Sequence, residues 1–505
     1  MSNQQNNSHG RSSAYLALLA GPVLALSVFY LLPEFYSGAD GIAVELSVAA
    51  RSAASIAVLM AIWWMTEAIP VYATALLPLA LFPLVGVAKI DAVAGEYGNE
   101  IIFLFMGGFI VALAIEKWGL HRRLALNLLG VVGARPDAIV GAFMLASAGL
   151  SMWVTNTAAT MMLLPVATSV IAFLPRDSGS DSSSTSPFAI CLLLGIAYAS
   201  SIGGMGTIVG TAPNVFIVSF VREQLGREIG FFEWMRFAVP LVLILLPLAW
   251  LILTRLLFRI GRTSMPDAAD YLQKERSALG AFSRGELLTL CVFSVTVVAW
   301  VSRPLLNKLD LYGMRPLEGL TDPGIAILAA LALFIIPVRI GRGEFLMDWE
   351  TAIRLPWGLL ILFGGGLALA SALVETGFSQ FIASSAAGLQ AWPSWLILLL
   401  VIAVVVMLTE LTSNTAITAT MAPVLIAVAE GLGLPPLLLI IPAAFAASCA
   451  FMLPVATPPN AIVFGSGLVT IRQMSRAGIF LNIVSILIIA IASYAIMLPV
   501  LGVTL

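Results

Sequence analysis

The feature that most restricts this chain is a succession of apolar stretches, each near the length of a membrane-crossing helix, from Ala14 to Leu498. Crossing the hydrocarbon core takes about 20 apolar residues. Candidate spans are Ala14–Leu32, Ser52–Ile69, Val71–Val87, Ile101–Ile115, Phe188–Ile202 with its continuation past Pro213, Phe237–Leu257, Leu287–Val301, Gly324–Val338, Trp357–Val374, Leu437–Met452 with its continuation past Pro459, and Ile479–Leu498, eleven in all. Of 505 residues only 10% are charged and 60% are hydrophobic, against about 25% charged in a soluble domain. Such a chain cannot cover itself for water, and the bilayer must be its solvent. Backbone groups have no water partner in lipid, so the spans must be helical. The expectation is an all-α polytopic membrane protein with eleven transmembrane helices.

Two further apolar stretches carry polar clusters at their centres: Asn156-Thr157 within 138–173 and Asn414-Thr415 within 395–429. Each half is short for a span, so both read as re-entrant helical hairpins, tolerated at membrane depth where protein or a cavity covers the broken backbone. Orientation follows from Lys and Arg. With the N-terminus cytoplasmic, 17 of the 25 fall on the inner side. Residues 1–13 then form a polar, disordered cytoplasmic tail in the inner membrane of the cell. The run after it is too long for a signal peptide core and is a first span. The Ser-rich segment 175–187 reads as a flexible loop, 259–286 as a linker between halves 14–258 and 287–505, and the amphipathic stretch His121–Gly133 as an interfacial helix.

The halves repeat. At an offset of 258, Gly107-Gly108 meets Gly365-Gly366, Gly119 meets Gly377, and Asn156-Thr157-Ala158 meets Asn414-Thr415-Ala416. Past the Ser-rich loop the offset is 246, pairing Thr211, Pro213 and Asn214 with Thr457, Pro459 and Asn460. These last residues interrupt two helices, over 188–221 and 437–469. Five spans separate the hairpins, and an odd number inverts the second copy. Inverted repeats with interrupted helices at matching positions are the mark of a secondary transporter whose site lies where the repeats meet.

The chemistry at these positions suits an anion. Asn and Thr are good N-caps, and a helix start offers unpaired N–H groups with a positive dipole end. No Lys or Arg lies at either tip or break. A dipole end contributes roughly 0.3–2 kcal/mol, well short of the cost of burying an unpaired carboxylate. Bound cations are the natural supplement, and carbonyls at the breaks with Ser, Thr and Asn oxygens suit sodium. A single Asn-Thr pair reads more readily as helix–helix hydrogen bonding; two copies at equivalent positions, each with its Thr-x-Pro-Asn break, favour a site. Glu410 and Glu67 read chiefly as structural, the Gly107-Gly108 and Gly364-Gly365-Gly366 runs as close-packing positions, and Cys191, Cys291 and Cys449 as small buried hydrophobes. Near-neutral net charge and the absence of a basic groove exclude nucleic acid as a partner. No Ser/His, paired-Asp or zinc constellation points to an enzyme.

These residues resemble a known family. Ala447-Ser448-x-x-Phe451-x-x-Pro454-Val455-Ala456-x-x-x-Asn460-x-Ile462-Val463 is similar to the sodium:sulfate symporter signature, and Ser413-Asn414-Thr415 matches the paired Ser-Asn-Thr motif of the divalent anion/sodium symporters. In the first copy Thr155 stands where that family usually has Ser. The resemblance implies a homodimer with a scaffold and a moving transport domain, working as an elevator. It implies substrate contacts from Thr155, Asn156, Thr157, Thr211, Ser413, Asn414, Thr415 and Thr457. It implies one sodium ion at Ser151, Thr155, Asn156 and Gly210, and a second at Thr409, Thr412, Asn414 and Ala456. The expected function is sodium-coupled symport of a C4-dicarboxylate such as succinate. A sodium-independent exchanger, a sulfate or tricarboxylate carrier, and a cation/proton antiporter that would depend on Glu410 are the alternatives.

Overall fold

The computed structural model describes residues 5–503 apart from 39–41, 131–132, 174–185, 262–263, 311, 313, 387 and 389, with side chains from residue 16 onward. The loop expected over 175–187 lies almost entirely outside the described residues. The described residues are mostly helical, with two short antiparallel ribbons among them, Phe35–Ser37 with Ala43–Glu45 and Pro337–Arg339 with Glu344–Phe345.

Among the described residues, seven helices are long and apolar enough to cross a membrane: Val48–Thr66, Ile90–Lys117, Pro187–Gly204, Phe231–Leu257, Arg284–Leu306, Trp357–Glu375 and Ile471–Val500. Many of their large apolar side chains face outward, among them Leu243, Val295, Val298 and Ile491, as a lipid solvent allows. The remaining expected spans are shorter or interrupted. Val71–Val87 is not one helix but two, Val71–Thr74 and Leu77–Leu84. Pro78 has no N–H to offer the Thr74 carbonyl, and the Ala75 carbonyl accepts instead from the Tyr97 hydroxyl at 2.5 Å. The helix expected over Gly324–Val338 runs from Asp322 to Ile335. It stops because Pro337 drives Ile336 into extended backbone, at ψ 115°. The first helix starts at Gln5, not Ala14. The segment 5–13 is therefore helical and not a disordered tail, because extending a formed helix is far easier than nucleating one.

The repeat is visible in the helix ends. Glu100–Lys117 and Trp357–Glu375 both end at positions 258 apart, as do Pro136–Ser151 and Ser394–Thr409 at both ends. Asn156–Ala172 and Asn414–Gly431 start 258 apart. The interfacial stretch is helical over Leu120–Leu129, and its repeat counterpart is Phe378–Ala386. It is not solvated all along its polar face. Arg123 is buried, pairs with Glu286 at 2.7 Å and donates to the carbonyls of Leu279, Gly280 and Ala281.

The glycine runs pack as expected. A Cβ on Gly107 would sit 2.6 Å from the Ala326 backbone, and one on Gly365 would sit 2.2 Å from the Ala75 carbonyl oxygen. These contacts hold Asp322–Ile335 and the broken 71–84 segment against the long helices. Cys191 and Cys449 are buried, but Cys291 is exposed on Arg284–Leu306, a helix whose outer face is open.

Candidate substrate and cation site

Each hairpin turns in four residues. The first runs down Pro136–Ser151 and resumes at Asn156; the second runs down Ser394–Thr409 and resumes at Asn414. The interrupted helices break in the same manner. Pro187–Gly204 unwinds through a 3₁₀ turn at Ile208–Gly210 and resumes at Ala212, and Leu437–Ala447 unwinds and resumes at Pro458. Pro213 and Pro459 lie in the first turn of the resumed helices, where a missing N–H is harmless. The halves then cross over. Ala212–Leu225 packs on the second hairpin's Asn414–Gly431, while Pro458–Gly465 packs on the first hairpin's Asn156–Ala172.

This crossing brings four helix starts to one cavity of about 840 Å³, within the range of small-molecule sites. Their N-cap residues Thr155, Ser413, Thr211 and Thr457 all line it, with Asn156, Thr157, Asn414 and Thr415. All eight expected substrate contacts therefore face a common space. The caps are used diagonally. Thr155 and Thr457 accept from the backbone N–H of Ala158 and Asn460, whereas Thr211 and Ser413 make no capping bond. Among the described residues no Lys or Arg lines the cavity, and the one charged wall residue is Glu67.

Ser151 and Thr409 do not line the cavity; both are buried behind it. Each donates to the amide oxygen of its hairpin asparagine: Ser151 Oγ to Asn156 Oδ1 at 2.6 Å, Thr409 Oγ1 to Asn414 Oδ1 at 2.7 Å. Gly210, Thr412 and Ala456 lie on the cavity wall. In the first repeat the oxygens crowd together. A Cβ on Gly204 would lie 2.5 Å from Asn156 Oδ1 and 3.2 Å from the Gly210 carbonyl oxygen, and one on Gly210 would lie 3.0 Å from the Ser151 carbonyl oxygen. In the second, Thr409 Oγ1 faces both Asn414 Oδ1 and the Ala447 carbonyl, at 2.7 and 2.8 Å. One hydroxyl hydrogen cannot serve both acceptors. This second cluster, with more oxygen acceptors than protons, is what a hard monovalent cation satisfies.

Two asparagines outside the expected set hold the breaks in shape. Asn214 Nδ2 donates to the carbonyls of Gly204 (3.0 Å) and Thr207 (2.8 Å), and Asn460 Nδ2 to those of Ala450 (3.1 Å) and Leu453 (3.0 Å). Both are fully buried. Their place in the repeated Thr-x-Pro-Asn pattern was the signal available in the sequence. Other lining residues, among them Met65, Glu67, Tyr72, Phe105, Phe109 and Leu359, carry no such pattern. Glu67 ends Val48–Thr66 in the left-handed region at φ 48°, which turns the chain at the cavity edge.

Residues 20–501 match the family model described as the sodium:sulfate symporter transmembrane region. The chain belongs to this family. It is 38% identical over 494 residues to proteins named sodium-dependent dicarboxylate transporter SdcS from Staphylococcus aureus strains MRSA252 and NCTC 8325, a match that covers 97% of this chain and 92% of theirs. Among solved structures, the Alcanivorax borkumensis YdaH transporter shares the fold with a TM-score of 0.61, at 15% identity, over 96% of this chain and 98% of that one. The membership expected from the signature and hairpin motifs therefore holds, and these relatives are transporters rather than enzymes.

Proposed function

We propose that this chain is a secondary transporter that carries a small dicarboxylate, a C4-dicarboxylate such as succinate first among them, in symport with sodium. The observation that carries this reading is the cavity itself. Eight Ser, Thr and Asn residues from four helix starts converge on it, with no Lys or Arg among the described residues that line it. A dianion held by neutral donors alone pays too much for desolvation. The two oxygen clusters behind the tips supply places for the compensating sodium ions, at Ser151, Thr155, Asn156 and Gly210 and at Thr409, Thr412, Asn414 and Ala456. The name of the Staphylococcus aureus relatives supports both the ion and the substrate class.

In this reading the chain has eleven crossings, with short and interrupted helices completing the seven long ones, and two re-entrant hairpins in an inverted repeat. The N-terminus is on the cytoplasmic side of the cell membrane. The hairpins and broken helices move together as a transport domain, elevator fashion, past a scaffold that supplies the Glu67 wall, and two copies pair as a homodimer within lipid.

The test is uptake of labelled succinate into proteoliposomes under an inward sodium gradient. Accumulation that collapses when potassium replaces sodium supports symport. Equal counterflow in sodium-free buffer replaces it with an exchanger. Sulfate taken up in preference to succinate changes the substrate.

A further inference from the structure

Ala212–Leu225 starts at the cavity, at Thr211, and runs about 21 Å to a polar end. That end is tied to the two helices that supply Phe105, Phe109 and Leu359 to the cavity, Glu100–Lys117 and Trp357–Glu375. Asn99 Nδ2 donates to Glu223 Oε1 at 2.5 Å. Asn99 Oδ1 accepts from Ser219 Oγ at 3.4 Å and also caps the Ile101 N–H at the start of Glu100–Lys117. Arg222 pairs with Glu100. Gln224 Nε2 donates to Ser371 Oγ at 3.4 Å. One turn and a half of helix is thus clasped from two sides.

The second repeat has no counterpart. Its resumed helix, Pro458–Gly465, has 8 residues against 14. At the offset of 246, Gly465, Leu468 and Val469 stand where Ser219, Arg222 and Glu223 do, and at 258, Trp357 and Gly358 stand where Asn99 and Glu100 do. Trp357 Nε1 already donates to the Ile353 carbonyl, and the other four have no hydrogen-bonding side chain.

In the reading above, Ala212–Leu225 travels with the hairpins while Glu100–Lys117 and Trp357–Glu375 stay with the scaffold. Repeats related by inversion exchange their conformations as the site passes from one face to the other, so identical repeats would give two states of equal energy. Contacts that one repeat makes and the other cannot make remove that balance. We propose that the clasp centred on Asn99, Arg222 and Glu223 opens in every transport cycle and biases the carrier toward the conformation of this structure. The proposal rests on the transport reading above.

Two measurements on the full-length protein test it. Glu100→Cys/Arg222→Cys, in a Cys291→Ser background, is joined in proteoliposomes by a short, reducible bifunctional thiol reagent. Sodium-driven succinate uptake is expected to fall about ten-fold or more and to return on reduction. Uptake at the unlinked rate overturns the proposal. The second measurement is succinate half-saturation from each face, in right-side-out and inside-out vesicles. Apparent affinity scales with the population of the binding-competent conformer, so the ratio of the two values reads the bias. Arg222→Ala/Glu223→Ala is expected to change that ratio by about five-fold or more, lowering half-saturation on one face and raising it on the other. Arg227→Ala breaks a nearby ion pair with Glu233 that does not reach Asn99 or Glu100, and is expected to leave the ratio within about two-fold. An unchanged ratio in the double variant overturns the proposal, as does an equal change in Arg227→Ala. If the double variant does not fold, Glu223→Ala decides by the same comparison. A parent that takes up no succinate under a sodium gradient instead sinks the functional reading.

Discussion

Replacing Gly210 by alanine probes the first oxygen cluster with one methyl group. The added Cβ would sit 2.4 Å from the Gly204 carbonyl oxygen and 3.0 Å from that of Ser151. Ordinary contact begins at 3.4 Å, so the two sides of the break must part by close to 1 Å, and the hairpin must give by a few tenths of an ångström. Neither neighbour is a side chain that can swing away; both are backbone, and the Gly204 carbonyl is also held by Asn214 Nδ2 at 3.0 Å. Overpacking of this kind costs about 1–3 kcal/mol, and a 1 Å misplacement at a working site costs about 100-fold in rate. We expect Gly210→Ala to fold, to lose about 1–3 kcal/mol of stability, and to need about ten-fold or more extra sodium for half-maximal succinate uptake. The second repeat supplies the control. Its equivalent residue is already alanine, Ala456, so Ala456→Gly removes a methyl where no clash exists and should leave sodium half-saturation within about three-fold. The assay is a sodium titration of uptake in proteoliposomes beside a thermal melt with and without sodium. Unchanged sodium half-saturation in Gly210→Ala would refute the assignment of this cluster to a cation, whatever the melt shows.

Three other outcomes follow from the same geometry. Thr155→Ser removes the methyl that distinguishes the first tip from Ser413 while keeping the oxygen that caps Ala158; the KM ratio between four-carbon and longer dicarboxylates should shift by up to about ten-fold, with sodium half-saturation unmoved, and an unchanged competition panel counts against an anion contact at Thr155. Asn214→Ala leaves the buried Gly204 and Thr207 carbonyls without their donor, at about 1–3 kcal/mol each, so the melting temperature should fall clearly; a loss no larger than that of an exposed substitution contradicts the clamp. Away from the membrane, Asp348 is held at about 2, first by its hydrogen bond from Lys117 and then by the Thr351 N–H. A depressed carboxylate stabilises fully above its unfolded value of about 3.9 and loses that contribution as pH falls through 2. Asp348 is half exposed, so Asp348→Asn should cost under about 1 kcal/mol at neutral pH, and the difference between the two melts should shrink below pH 4 and vanish near 2.

The half of the site that was legible in the sequence is the half made of polar residues in apolar surroundings. Asn156, Asn414, Thr211 and Thr457 stand out because nothing else explains a hydrogen-bonding group there, and the offsets of 258 and 246 residues pair them before any coordinates do. The apolar part of the lining gives no such contrast. Phe105, Phe109 and Leu359 line the cavity, yet in a bilayer protein an apolar residue is equally at home against lipid, core or substrate, so hydropathy does not separate them. Helix breaks were legible where Gly and Pro flank a polar residue and not where they lie among apolar ones. Pro78 interrupts a run that counts as a full span by hydropathy, and the Tyr97 bond that settles the geometry comes from 22 residues away. Gln5–Leu31 shows the opposite failure: a polar segment becomes helical because an apolar neighbour has already paid for nucleation.

The repeat also conceals a difference that an alignment of motifs passes over. Both halves fasten an amide oxygen with a hydroxyl and a break with an asparagine, so the two oxygen clusters are equal by design of the fold. The residues around them are not. Gly204 and Gly210 permit backbone-to-backbone contact in the first half, where the second has Ala450 and Ala456. The first break is thus shaped by close backbone approach, while the second is held by Glu410, which accepts from the N–H groups of Phe451, Met452 and Leu453. A break held by close approach responds to a single methyl group. Gly210→Ala should therefore weaken sodium together with a large loss of thermal stability in sodium-free buffer, whereas Ala456→Gly should change neither.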